Sequence, residues 1–295
     1  MRAAHVARDT ARDTARCPGV FAVLAAVALL SVTTAAQGPS TSLGAGQKPL
    51  VEAIGTTDPG PLPPGGPVPR MSDGKPDLSG IWFSGVIGRP SAWSRTRPER
   101  VVEDPVPFRP EVAAKLKSLT RAQLEALDPT VNCLPRGVPG MFTMNPHPSE
   151  IVTKPGTFIQ LVEAGNQWRK IHTDKRPHPE YPDPLFNGNS SAWWEGDTLI
   201  IDSISFDERT WITGNGWYHS NQMRVIERLR RPSLNYLEYQ FAIEDPKVLT
   251  KPWTSGWRKF SLAQDDDHLL ENYCTNEQNA EHFRKLVEQE SQGNR

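Results

Sequence analysis

The chain has 295 residues and carries 33 Lys and Arg against 34 Asp and Glu, which gives a formal net charge of −1. This balance leaves no basic excess for binding nucleic acid, so we expect no nucleic-acid partner. Only one long apolar run is present, near the start of the chain, so we expect no stable membrane insertion once that run is removed.

The first 36 residues have the layout of a secretory signal peptide. Arginines precede the apolar run Val20–Val32, and Thr34 and Ala36 occupy the small-residue positions of a cleavage site. The run is shorter than the roughly 20 residues that a membrane-spanning helix needs, and a retained membrane anchor is the alternative interpretation. We therefore expect cleavage after Ala36 and a periplasmic or secreted mature protein.

Residues 37–76 are rich in Gly, Pro, Ser and Thr, which predicts a flexible linker before a single domain at residues 77–290. Cleavage would remove Cys17 and leave Cys133 and Cys274. Two cysteines in an oxidising compartment predict one disulfide between them, and two buried free thiols are the alternative.

A helical insertion is predicted near the start of the domain. Residues 109–119 and 120–127 place apolar side chains at helical spacing, and Thr120 with Gln123 matches a capping box. The Asp128-Pro129 pair should end the second helix, because the residue before a proline disfavours helical backbone angles.

Short β-prone runs then alternate with turn residues and predict four hairpins. Their turns fall at Pro155–Gly156, Glu195–Asp197, Pro232–Asn235 and Asp265–Asp267. A C-terminal helix should follow, with Ala280, Phe283 and Leu286 on one stripe. Consecutive hairpins without crossover helices favour a mainly β fold, an antiparallel up-and-down barrel with room for one small ligand. A two-sheet sandwich is the alternative.

Two resemblances fit this plan. Gly80-Ile81-Trp82 on the first strand, the hairpins and the late helix resemble the lipocalin or calycin plan, which implies a secreted barrel around a small apolar molecule. The stretches KIHTDKRPHP, WWEGDTLIIDS, HSNQMRVIER and EDPKVLTKPW resemble a family of exported bacterial proteins. That family is mostly uncharacterised, so the second resemblance implies a shared architecture and no particular chemistry.

Three side chains are candidates for acid–base catalysis: His172, His219 and Glu227. The two histidines lie beside predicted strands, and histidine is a common general acid or base, whereas turn histidines bound to the backbone are the alternative. The two-residue period of its strand points Glu227 toward the apolar side. A structural ion pair with Arg169 or Arg258 is the alternative for Glu227.

Cofactor signals are few. Histidines gathered at one barrel mouth would allow a divalent metal, because imidazole suits zinc, copper or iron. The chain lacks an HExxH or His-x-His motif, so we assign no metal ligands. It also lacks dinucleotide and phosphate-loop fingerprints, so we predict no organic cofactor.

Ligand contacts are predicted in the turns, at His178, Trp211, Trp217 and Tyr218. Trp211 and Trp217 bracket the stretch Thr213–Gly216, which predicts a lid, with an ordinary hairpin loop as the alternative. Alternate loops of a meander share a rim, so we expect residues 172–184 and 211–219 to border one open mouth. Trp82 is expected in the core near the opposite end.

The sequence therefore predicts an exported barrel that binds a small apolar or aromatic molecule. The alternative is an enzyme that needs no organic cofactor, such as a lyase, hydratase or isomerase, built on His172, His219 and Glu227 or on a histidine-bound metal. The proline-rich stretch Lys170–Pro184 is interpreted first as a stiff rim loop and second as a reactive site.

Overall fold

The computed structural model describes residues 64–84, 104–143, 147–213, 216–265 and 267–275, together with residues 281, 284, 285 and 288. The predicted signal peptide, most of the predicted linker and most of the predicted C-terminal helix lie outside the described residues. None of the described helices combines the length and the apolar character needed to span a bilayer.

The described strands are β1 (Gly80–Ser84), β2 (Ser149–Lys154), β3 (Thr157–Val162), β4 (Gln167–His172), β5 (Asn189–Glu195), β6 (Thr198–Ile204), β7 (Trp211–Thr213), β8 (Trp217–Tyr218), β9 (Arg224–Ser233), β10 (Tyr236–Glu244), β11 (Trp253–Thr254) and β12 (Arg258–Leu262). The described helices are α1 (Pro110–Ser118), α2 (Arg121–Leu127) and α3 (Gly140–Thr143), with a 3-10 turn at Ala164–Asn166.

The helical insertion forms as predicted. The Thr120 hydroxyl accepts a hydrogen bond from the Gln123 amide at 3.2 Å, and the Gln123 side chain accepts one from the Thr120 amide at 2.9 Å. This capping box satisfies two amide groups that the first turn of α2 would otherwise leave unpaired. The helix ends at Leu127, directly before Asp128-Pro129.

Nine strands form one curled antiparallel sheet, a nearly closed up-and-down barrel, so the predicted fold class is confirmed. Their order is β4-β3-β2-β1-β12-β10-β9-β6-β5. Each neighbouring pair in this order is antiparallel. Strand β11 pairs with β10, and β7 with β8 makes a separate small hairpin.

The odd number of strands determines how the barrel closes. In an alternating series of nine, the first and last strands point the same way, so β4 and β5 run parallel across the seam. The chain leaving β4 must therefore travel back along the barrel before β5 can begin. Residues 173–188, hereafter the strap, make this journey. The Lys175 amide donates to the Ala192 carbonyl at 2.8 Å, and the Ser191 hydroxyl donates to the Arg176 carbonyl at 2.6 Å.

The strand directions define two ends of the barrel. The turn end carries the tight turns between β2 and β3, β5 and β6, and β9 and β10. Two of these turns need glycine, because Gly156 and Gly196 adopt φ angles of 78° and 59°. The helix end carries the insertion with α1, α2 and α3 and the long connection between β6 and β9.

Side chains from both ends fill the inside of the barrel. Near the turn end Trp82 is fully buried, as expected, and its indole donates to the Leu78 carbonyl at 3.0 Å. From the helix end, the Phe142 ring of α3 stacks on Tyr239 with the ring centroids 4.3 Å apart. The inner face is thus a packed core along its length.

The predicted fourth hairpin is wrong in its second half. Strand β12 forms, but residues 268–275 have no regular secondary structure. Both edges of β12 already pair, with β1 and β10, so no edge is free for a following strand. The segment instead returns toward the helix end, where the Leu270 amide donates to Glu163 Oε2 at 2.9 Å.

One disulfide and one ion pair attach the first and last described segments of the chain to the rest of the domain. Cys133 and Cys274 form the predicted disulfide, with their Cα atoms 5.4 Å apart. At the turn end, Arg70 pairs with Asp197 at 2.7 Å. Residues 64–76 of the predicted linker therefore hold defined contacts with the barrel.

Candidate functional site

His172 and His219 lie at opposite ends of the barrel. His172 is the last residue of β4, opposite Thr157, and so it lies at the turn end. Burial alternates along β4, with Arg169 and Ile171 inside and His172 exposed on the outer surface. His219 belongs to the connection between β6 and β9, at the helix end. The prediction that residues 172–184 and 211–219 border one open mouth is therefore wrong. Because β4 and β5 run parallel, the strap does not turn at one rim but runs along the barrel from the turn end to the helix end.

His219 is a buried histidine with both ring nitrogens occupied. Its Nε2 accepts a hydrogen bond from the Thr210 hydroxyl at 2.7 Å, and its Nδ1 donates to the Ser220 carbonyl at 3.1 Å. Burial lowers the pKa of His219, although nearby Asp245 opposes this, so the neutral ring is the stable form.

The Thr210–His219 pair has the spacing of a nucleophile and its base, but substrate cannot reach it. Thr210 is only 1% exposed and His219 only 3%. The Gly137 backbone covers the pair so closely that a Cβ atom there would lie 2.8 Å from Thr210 Cβ. We interpret the contact as structural.

Glu227 is fully buried in the interior and held by Arg169. Two guanidinium nitrogens donate to its carboxylate oxygens at 2.7 and 2.8 Å, and the Tyr239 hydroxyl donates to Oε1 at 2.9 Å. The Arg169 Nε atom donates to Gln160 Oε1 at 2.8 Å. Strands β4 and β9 are not neighbours, so the Arg169–Glu227 pair crosses the barrel interior. Glu227 thus has the ion pair with Arg169 that the sequence offered as the structural alternative.

The opposite charges of Arg169 and Glu227 stabilise each other in this interior cluster. Burial opposes the charge of Arg169, but attraction and hydrogen bonds from Glu227 outweigh it and raise the pKa of the guanidinium. Burial, reinforced by the negative Glu227, raises the pKa of Tyr239 well above its usual value, so the phenol remains a donor. The structure does not place His172, His219 and Glu227 in one cavity. Their predicted catalytic roles therefore stay predictions.

The predicted aromatic contacts lie under the helical insertion. Trp211 and Trp217 are 7% and 5% exposed. The Trp217 ring meets Phe108 edge-on, with centroids 5.2 Å apart, and the Lys115 ammonium of α1 lies 4.5 Å from the Tyr218 ring centroid. Trp211 and Trp217 are therefore covered and do not form an open aromatic surface.

The described part of the predicted lid is closely packed against the helical insertion. A Cβ atom on Gly216 would lie 2.5 Å from Leu124 Cδ2, so α2 rests directly on this backbone. Residues 214–215 of the predicted lid lie outside the described residues.

His178 belongs to a cluster on the outer surface, beside the seam. Its Nδ1 lies 2.8 Å from Asn189 Oδ1, and its Nε2 lies 3.6 Å from Asp202 Oδ2. The Nε2 atom is buried and has no hydrogen-bond partner. Asp202 in turn accepts two hydrogen bonds from Arg224, both at 2.8 Å.

Sequence reasoning identified His178 but missed Asp202 and Arg224. The available signal was the aspartate inside the apolar run LIID of β6, since a carboxylate in such a strand needs a cationic partner. Nothing in the local sequence identifies Arg224 as that partner, because the two residues lie on neighbouring strands, β6 and β9.

A groove of about 410 Å³ lies on the outer surface at the helix end, beside this cluster. Its lining residues come from the strap and from the ends of β6, β9 and β10: Pro182, Ile204, Ser205, Asn221, Gln222, Met223, Arg224, Glu244 and Pro246. Arg224 and Glu244 approach each other to 3.8 Å along its edge. The groove therefore combines apolar side chains with the polar Ser205, Asn221 and Gln222 and with one charged pair.

Within the residues that the structure describes, no group of three or more His, Cys, Asp or Glu side chains is placed to hold a metal ion. No protein-family model, curated protein or solved structure matches the chain.

Proposed function

We propose that the protein is an exported β-barrel protein that binds a small, largely apolar or aromatic molecule in the groove beside the strap. The observation that carries this proposal is the groove of about 410 Å³, whose lining is partly apolar. Small-molecule sites are concave, mostly apolar and about 300–1,000 Å³ in volume. Export is supported by the leader-like N-terminus and by the disulfide, since disulfides persist in oxidising compartments.

The groove is a better candidate than the barrel interior. Phe142 stacks on Tyr239 inside the barrel, and the Arg169–Glu227 pair spans it. These side chains occupy the space that a ligand would need in a lipocalin-like barrel. The ligand is therefore assigned to the outer surface, and this departs from the sequence-based expectation.

The lining indicates the class of ligand. Pro182, Ile204 and Pro246 offer apolar surface, which favours a hydrophobic ring. Arg224 and Glu244 add one donor and one acceptor at the edge, which can orient a polar substituent. A flat apolar molecule with one polar group matches this lining.

The cofactor-independent enzyme remains the weaker candidate. It requires His172, His219 and Glu227 to share a reacting atom, but His172 is exposed at the turn end and Glu227 is fully buried inside. No contact among the described residues links these three side chains, so no reaction is assigned.

Fluorescence titration with 8-anilinonaphthalene-1-sulfonate, an aromatic probe with one anionic group, tests the groove. Gln222→Trp places a bulky ring on an exposed groove residue and should weaken probe binding about tenfold or more, as expected for a blocked site. Glu180→Trp adds the same ring to an exposed strap residue outside the lining and serves as the control. Equal binding by the two variants and the unchanged protein would exclude the groove as the binding site.

A further inference from the structure

We propose that His178 is a proton-operated latch that fastens the strap to the wall of the barrel. The latch consists of the His178 imidazole on the strap and the Asp202 carboxylate on β6. It is a property of the strap itself and does not require that the groove holds a ligand.

The neutral form of His178 leaves the latch open. Asn189 Oδ1 can only accept a hydrogen bond, so the Nδ1 atom 2.8 Å away carries the proton. The Nε2 atom of the neutral ring then presents a lone pair to Asp202 Oδ2 at 3.6 Å. Two acceptors face each other across this gap, which explains why Nε2 has no partner although it is buried.

Uptake of one proton closes the latch. The proton binds at Nε2, and the resulting N–H group points at a carboxylate and forms a charge-assisted hydrogen bond. The side chains of His178 and Asp202 are only 18% and 11% exposed, so water and salt screen this pair less than a surface pair. No other bond has to break, because a carboxylate has about four acceptor positions and can keep its bonds to Arg224.

The charged groups around His178 come from several elements. Asp202 of β6 faces Nε2, and Arg224 of β9 donates to the same carboxylate. Glu244 of β10 lies 3.8 Å from Arg224 and offsets part of its positive charge. On the strap itself, Asp174 and Arg176 pair with each other at 2.6 Å. Strand β5 contributes the neutral Asn189.

Backbone hydrogen bonds attach the strap to the wall near its two ends. At one end the Thr173 and Lys175 amides donate to the Gly156 and Ala192 carbonyls at 3.1 and 2.8 Å, and at the other end Leu185 exchanges two bonds of 3.0 Å with Ser205 and Asp207. Between these ends, the Ser191 and Ser205 hydroxyls donate to the Arg176 and Pro182 carbonyls. The ion pair of the latch would therefore strengthen the middle of the strap, between its backbone-bonded ends. We expect the strap to hold more tightly as the pH falls from 8 to 5, the interval in which histidine side chains change charge.

Hydrogen exchange measured by mass spectrometry on peptides covering residues 173–188 tests the latch. Exchange is compared at about pH 8 and about pH 5.5 after division by the intrinsic rates, since histidine changes charge between them. In the unchanged protein, opening of the strap should be about fivefold rarer at the lower pH, the size expected for one partly exposed ion pair. His178→Gln should abolish this difference.

His172→Gln is the matched control, because His172 begins the same connection but is exposed. It should behave like the unchanged protein at both pH values. If His178→Gln keeps the full pH dependence of strap opening, the latch is excluded. If His178→Gln does not fold, nitrogen NMR of the unchanged protein decides, because Nε2 must gain its proton while the strap stays attached. An imidazole that remains neutral down to pH 5 would also overturn the proposal.

The probe titration of the groove is independent of this test. A functioning latch with no probe binding would contradict the proposed ligand site and leave the latch intact. Probe binding without any pH dependence of strap opening would support the ligand site and exclude the latch.

Discussion

Among the arginine–carboxylate contacts of the described residues, two that join separate strands have similar geometry in different surroundings. Inside the barrel, Arg169 binds Glu227 at 2.7 and 2.8 Å, and the side chains are 5% and 0% exposed. On the outer wall, Arg224 binds Asp202 at 2.8 Å twice, and the side chains are 45% and 11% exposed. The inner carboxylate also accepts from Tyr239, whereas the outer one faces a histidine nitrogen without a partner.

The difference shows that burial determines how completely a charged side chain must be paired. A carboxylate in the core requires full compensation, because an unpaired charge there costs several kcal/mol. The inner cluster is accordingly locked in one arrangement. The outer cluster lies on the wall beside the seam and leaves one buried histidine nitrogen without a hydrogen-bond partner, and a proton can act at that nitrogen.

The largest expected effect comes from breaking the inner cluster. Glu227→Gln removes the negative charge and leaves Arg169 buried without a counter-ion, so the free energy of unfolding should fall by about 3–5 kcal/mol. Urea unfolding measures this loss. Asp197→Asn breaks the exposed Arg70 pair at the turn end and should cost far less. Similar losses for both variants would show that the interior cluster is not a buried charge pair.

A smaller effect is expected from removing the third partner of Glu227. Tyr239→Phe deletes the hydroxyl that donates at 2.9 Å and should lower the free energy of unfolding by about 1.5–3 kcal/mol, as for hydrogen bonds to charged groups. Tyr236→Phe on the same strand is the control, because Tyr236 is not part of this cluster. If the two substitutions cost the same, the hydroxyl contributes little to the inner carboxylate.

Breaking the outer cluster should loosen the strap and leave the core intact. Asp202→Asn weakens the contacts with Arg224 and removes the charge that faces His178, at a cost of about 1 kcal/mol or less because Arg224 is 45% exposed. Hydrogen exchange should rise in residues 173–188 and remain unchanged in the interior of β9. A rise throughout β9 would mean that the two clusters are coupled through the wall.

The smallest effect is a pH dependence with the opposite sign to the latch. Because burial lowers the pKa of His219 in the folded protein, the unfolded chain binds a proton more readily. The stabilisation by the neutral ring is thus present at high pH and is lost as the pH falls through about 6.5, the value for an unfolded histidine. Unfolding experiments at pH 7.5 and pH 5 on the unchanged protein and on His219→Gln should show this acid-induced loss only in the former. Its persistence in His219→Gln would assign the loss to other groups.

Local signals in the sequence were sufficient for most of the barrel. The turn glycines Gly156 and Gly196 and the two-residue burial period predicted the hairpins, and the capping box at Thr120 predicted the start of α2. The same period pointed Glu227 inward. These features depend on neighbours in the chain or on the alternation within one strand, which a sequence pattern can express. The observed partner of Glu227 was one of two arginines, Arg169 and Arg258, that the sequence offered as the structural alternative.

The closure of the barrel and the groove could not be predicted in this way. The strap has no strand pattern, yet it runs along β5 and reverses the direction that a simple count of hairpins assigns to β5. That single reversal separates His172 from His219. The groove combines residues from the strap and three strand ends that are distant in sequence, from Pro182 to Pro246, so no local pattern contains it.

The chain enters the barrel at the end opposite to the groove. Residues 66–79 run along the turn end, where the Leu234 amide donates to the Gly66 carbonyl at 3.1 Å and Arg231 donates to the Asp77 carbonyl at 2.7 Å. The groove opens at the helix end. The described chain therefore enters at the turn end, and the length of the strands separates this entry point from the groove.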